Sequence, residues 1–130
     1  MILVDSSVWI DYFRGAITPE TDLLDDLLGQ EPIAIGDLIL VEVLQGFRAD
    51  QDYNKAKELL ECLTIYELLG LEMAISSAEN FRQLRKQGTT IRKTADAIIA
   101  SFCIEHEIPL LFSDRDFDPF VAHLGLIKAA

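Results

Sequence analysis

The sequence predicts a three-layer α/β/α sandwich around a mostly parallel sheet of about five strands. Three observations carry that prediction. Short apolar runs of strand length alternate with longer stretches of helical period. Those stretches hold about ten or more residues, enough for the helical crossovers that parallel strands need. The runs MILV, IAIG and PLLFS are apolar almost throughout, as strands covered on both faces are. One domain spanning residues 1–130 accounts for the chain, and a domain of that length buries roughly two thirds of the surface its unfolded chain exposes.

MILV reads as the first strand, with Ser6 or Ser7 as N-cap of a helix that runs through Phe13 and stops near Gly15. Thr18 and Pro19 open a second helix, whose Leu23, Leu24, Leu27 and Leu28 form one stripe before Gly29. IAIG is the second strand, and Asp37 is placed to cap the helix that carries LILVEVLQGF. A charged helix around Asn54 to Leu60 leads to LTIY, the third strand. A long amphipathic helix follows over roughly Leu71 to Lys86, and Thr94 caps the next one as far as Ile104. PLLFS is the fourth strand and LGLIKA a short fifth.

Composition narrows the function classes. No stretch is long and uniform enough to cross a bilayer, and MILVDSSVW carries no basic leader before Asp5, so a cytoplasmic protein is expected. Cys62 and Cys103 share no metal-ligand spacing and read as small buried hydrophobes. His106 and His123 sit in no nucleophile or zinc motif and read as structural, and no GxGxxG or phosphate-cradling loop is present. A net charge of −11 argues at first sight against nucleic acid. Acids gathered around a divalent cation would inflate that count, and five of the eleven basic residues fall within Arg82 to Lys93.

Four acids stand out. In open α/β sheets, ligands bind beyond the carboxyl ends of the strands. Asp5 ends the first strand and Asp114 the fourth, so both should project from one edge. Asp96 heads a helix face continued by Ile99, Ala100 and Cys103, which turns it towards the sheet. Glu42 sits inside an apolar helix, opposite a core stripe of Leu40, Val43, Leu44 and Phe47 and beside Gly46 and Ala49, as on a cleft wall. Asp5, Asp96 or Asp114 alone would also suit a helix cap or the positive end of a helix; Glu42 has no such role.

Carboxylates gathered without counter-charge repel one another, and a divalent cation removes that penalty. An all-oxygen donor set favours Mg²⁺ or Mn²⁺ over zinc. Calcium fits less well: in DRDFDPF and the residues after it, Pro119 stands where an EF-hand turn needs glycine and Gly125 where it needs glutamate. Oxygen-bound Mg²⁺ keeps waters and takes substrate phosphate, so phosphoester hydrolysis is the natural chemistry. Arg92 and Lys93, in RQLRKQGTTIRK, are the candidates for phosphate contacts, with simple solvation as the competing reading.

Asp5 in MILVDSSVWID, Glu42 in LILVEVLQGF, Asp96 in RKTADAIIA and Asp114 in LLFSDRDFDPF together resemble the PIN domain, specifically the VapC toxins of bacterial type II toxin–antitoxin systems. The resemblance covers the whole chain. It implies a Mg²⁺- or Mn²⁺-dependent endoribonuclease, cutting tRNA or another structured RNA and inhibited by a cognate VapB antitoxin. It further implies that Asp5 and Asp96 hold metal, that Glu42 and Asp114 orient a second metal or the attacking water, and that Asp116 is an auxiliary ligand. A homodimer and a toxin–antitoxin hetero-oligomer follow from the same likeness. Two alternatives stand beside it. One is a haloacid-dehalogenase-like Mg²⁺-dependent phosphatase, which needs an aspartate where Ser7 stands. The other is a non-catalytic domain that only binds a partner.

Overall fold

The computed structural model describes Met1 to Ala129. Its elements are β1 (Ile2–Val4), α1 (Ser6–Phe13), α2 (Pro19–Leu27), β2 (Ile33–Gly36), α3 (Asp37–Leu44), α4 (Asp50–Glu61), β3 (Thr64–Tyr66), α5 (Leu71–Lys86), α6 (Thr94–Glu105), β4 (Leu110–Leu111) and α7 (Asp118–Leu124). A single 3-10 turn, Arg115–Phe117, precedes α7. The strands form one parallel sheet in the order β3-β2-β1-β4, with Leu3 between Ala34 and Leu110.

That order places the layers. From β1 to β2 to β3 the chain steps in one direction, and from β3 it crosses back to β4 on the far side of β1. Right-handed crossovers put helices of opposite steps on opposite faces. Helices α1 to α4 therefore cover one face and α5 and α6 the other, in keeping with the packing of α1 on α2 and α3, and of α5 on α6. The strand order reverses between β1 and β4, and the crevice beyond their carboxyl ends is where such folds hold ligands.

The α/β/α sandwich holds, with four strands where about five were expected. LGLIKA contributes only a parallel bridge, Lys128 against Leu110. Gly125 takes φ 82° to end α7, and Leu126 is spent on a bond to Phe120, which leaves too little chain for a ladder.

Three caps fall one residue earlier than expected, for one reason. Asp5, Gly36 and Lys93 are still extended when their helices begin, so each is the cap, rather than Ser6 or Ser7, Asp37 and Thr94. Asp37 instead accepts from its neighbour Leu38 N–H at 2.8 Å and from Leu68 N–H at 3.1 Å, tying the start of α3 to the chain after β3. Thr18 is the cap expected, with a reciprocal bond to Thr21.

The core gathers Trp9, Phe112, Phe117 and Phe120 around the sheet, with Trp9 stacked on Phe13 and edge-on to Tyr12. In α3 the buried stripe is Ile39 and Val43, rotated from the expected one; Leu40, Leu44 and Phe47 pack at its margin. Cys103 is buried, but Cys62 is exposed at the end of α4, where its thiol reaches only the Glu58 carbonyl. His106 stacks on Phe102. No helix among the described residues is long and apolar enough to cross a membrane.

Candidate metal centre

Helix α1 starts directly from β1, so Asp5 is held both by the strand and by its own capping bonds. Its Oδ2 accepts from Ser7 N–H at 3.1 Å and from the Ser7 hydroxyl at 2.6 Å. Its Oδ1 is buried with no partner. Asp96, in the first turn of α6, is 5% exposed, and its Oδ2 is likewise buried and unpartnered. Of the three such atoms among the described residues, two are these carboxylate oxygens; the third, Trp9 Nε1, lies in the core.

Asp114 follows β4 and caps the 3-10 turn, its Oδ1 accepting from Asp116 N–H at 2.9 Å. Asp96, Asp114 and Asp116 each offer an oxygen within 4.8 Å of the others. Glu42 is half-buried on α3 and accepts from the Ser6 hydroxyl at 3.2 Å. Consecutive serines thus hold two acids from different elements: Ser7 takes Asp5 and Ser6 takes Glu42.

The charges on these groups cost free energy in isolation. Burial pushes the Asp5 carboxyl up, against the lowering effect of the Ser7 bonds, and Asp114 adds to the rise. Asp96 is pushed up to about 7, first by burial and then by Asp5, with Lys93 opposing. Glu42 is raised by burial and by Asp5, with Ser6 and Lys93 opposing. Asp5, Glu42 and Asp96 are thus each raised in part by a neighbouring acid, and a cation shared there would relieve that repulsion.

The donor set fits a hard divalent cation. It is all oxygen, it includes two buried carboxylate oxygens with unused lone pairs, and it opens to solvent through the partly exposed Asp114 and Asp116. The closest triad differs in emphasis from the sequence reading. Asp116, expected as an auxiliary, stands within the group of three, whereas Asp5 and Glu42 lie outside it.

Arg92 and Lys93 reach the same edge but bind acids there. Arg92 Nη2 bridges Asp116 Oδ1 and Oδ2 at 2.9 and 3.1 Å, and Lys93 Nζ lies 3.6 Å from Asp114 Oδ2. The roles of Ser6 and Ser7 were missed because both were read as caps; the signal was two hydroxyls directly after an acid that ends a strand.

The sequence model of the PIN domain matches residues 2–120. The chain belongs to the PIN domain family. This PIN domain is 31% identical over 135 residues to VapC ribonuclease Mb1587 of Mycobacterium bovis, covering 100% of this chain and 98% of that protein. It is 38% identical over 128 residues to ribonuclease VapC1 of Methanocaldococcus jannaschii, covering 96% of this chain and 84% of that one. Among solved structures it resembles VapBC2 from Rickettsia felis bound to a promoter DNA fragment, with a TM-score of 0.78 at 21% identity over 99% of this chain and 98% of that one.

Proposed function

We propose that this PIN domain is a Mg²⁺- or Mn²⁺-dependent endoribonuclease acting in the cytoplasm as the toxin of a toxin–antitoxin pair. The observation that carries the reading is the pair of buried, unpartnered oxygens, Asp5 Oδ1 and Asp96 Oδ2, near the edge where the strand order reverses. Relatives named VapC ribonuclease support RNA as substrate, and similarity to toxin–antitoxin complexes supports a VapB-type antitoxin as partner. We further infer a homodimer that joins its antitoxin in a hetero-oligomer.

Asp5 and Asp96 would hold the cation, with Asp114 and Asp116 completing the oxygen set on the open side. Bound there, a divalent cation supplies Lewis-acid polarisation of the scissile phosphodiester and a nucleophilic water at neutral pH. Glu42, held by Ser6, would position an attacking water, and Ser7 holds Asp5 by one oxygen, leaving the other free for a ligand. Arg92 and Lys93 lie where an incoming backbone phosphate would meet them. The phosphatase reading loses ground, because Ser7 donates to Asp5 where an acid is required.

The test is to sequence the 5′ ends of cellular RNA after brief expression of the wild type beside Asp5→Asn. New ends at defined sites with the wild type alone are expected. Identical ends in both samples, with metal bound to the purified protein, would favour the partner-binding reading instead.

A further inference from the structure

We propose that Arg92 and Lys93 are internal counter-cations of the metal centre, guarding Asp116 and Asp114 until a divalent cation displaces them, and that the freed side chains then hold an RNA phosphate. The proposal rests on the metal-dependent nuclease reading above.

At the buried end of the site the carboxylate oxygens Asp5 Oδ1 and Asp96 Oδ2 are free, while Asp5 Oδ2 accepts from Ser7. Those at the open end are occupied: Arg92 Nη2 bridges both oxygens of Asp116, Lys93 Nζ faces Asp114 Oδ2, and the Asp116 amide takes Asp114 Oδ1. Asp96, Asp114 and Asp116 are nevertheless the three acids whose oxygens come within 4.8 Å of one another. A cation shared by them would therefore meet the positive charges of Arg92 and Lys93 at the same oxygens.

The two guards are built to yield. Their side chains are 77% and 59% exposed, so the ion pairs are weak and the displaced groups have water and phosphate to turn to. Their backbone stays in place, because Ile91 beside them is 5% exposed in the core and Lys93 begins α6. Only the side chains need swing. Each would move from a carboxylate that metal now neutralises to the anion that metal binding brings in, so cation and RNA uptake are coupled.

The test titrates Mn²⁺ calorimetrically into the full chain and into Arg92→Gln, Lys93→Gln and Arg115→Gln. Arg115 lies between Asp114 and Asp116 and makes no ion pair among the described residues, so its variant removes an equal charge without removing a guard. Arg92→Gln and Lys93→Gln should each tighten Mn²⁺ binding about three- to fivefold, with Arg115→Gln changing it less than about twofold. The Arg92 guanidinium resonances should shift on addition of Mg²⁺. At saturating Mn²⁺, Arg92→Gln should raise KM for RNA more than it lowers kcat. Tightening by Arg115→Gln equal to that by Arg92→Gln would reduce the effect to net charge and overturn the proposal, as would an unchanged KM. A wild type that takes up neither ion would overturn the nuclease reading and this proposal together.

Discussion

Replacing Asp96 by asparagine should stabilise the metal-free protein at neutral pH while abolishing its stabilisation by metal. Asp96 is raised from 3.8 to about 7 in the folded chain, and at about 1.36 kcal/mol per unit the ionised group costs up to about 4 kcal/mol. Screening through the open side of the site, at Asp114 and Asp116, reduces that to about 2 kcal/mol. The folded pKa lies above the unfolded one, so between pH about 4 and 7 the folded chain binds more protons and stability falls as pH rises. Asparagine carries no such penalty, so the gain of Asp96→Asn over wild type should be absent below pH 4 and complete above pH 7. At pH 8 in EDTA the variant should melt roughly 6 °C higher. In excess Mg²⁺ or Mn²⁺ the order should reverse, because a cation at 100 times its Kd adds about 2.7 kcal/mol to the wild type only. Thermal melts of both proteins from pH 4 to 8, with and without metal, measure all of this. A variant that melts below wild type at pH 8 in EDTA would refute the electrostatic argument.

Glu42→Gln should keep the bond to the Ser6 hydroxyl and leave the melting temperature equal or higher, while RNA cleavage falls by at least about 100-fold; a large loss of stability would make Glu42 structural. Ser7→Ala removes the 2.6 Å donor to Asp5 and should cost about 1–2 kcal/mol in urea unfolding of the metal-free protein; an unchanged midpoint would contradict it. Gly36→Ala puts a methyl into the side chain of fully buried Leu68 and should lower stability by about 1–3 kcal/mol, read as a lower urea midpoint with an unchanged slope; an unmoved midpoint would show that Leu68 repacks freely.

The elements legible in the sequence are those whose pattern is local. IAIG and the span Leu71–Lys86 match β2 and α5, because an apolar run and a long amphipathic period need no partner to be recognised. The acids stand out as candidates because each breaks a local rule, a charge at a strand end or in an apolar helix. What depended on tertiary context was not legible. The caps shifted because Asp5, Gly36 and Lys93 keep extended backbone up to the first helical residue, and α3 is rotated because Ile39 meets the core that Leu40 was expected to meet. Asp116 joins Asp96 and Asp114 only through the 3-10 turn that the Asp114 cap creates. The pairing of Arg92 with Asp116 spans 24 residues, and nothing local in either segment announces it.

The central claim is that buried Asp5 and Asp96 hold a cation that cuts RNA. Its most direct test is cleavage of total RNA by purified, antitoxin-free protein titrated with Mn²⁺, beside Asp5→Asn and Asp96→Asn, with EDTA as control. Cleavage should rise with Mn²⁺, stop in EDTA and be lost in both variants while their folds persist. Cleavage that survives EDTA, or that either variant retains in full, would contradict it.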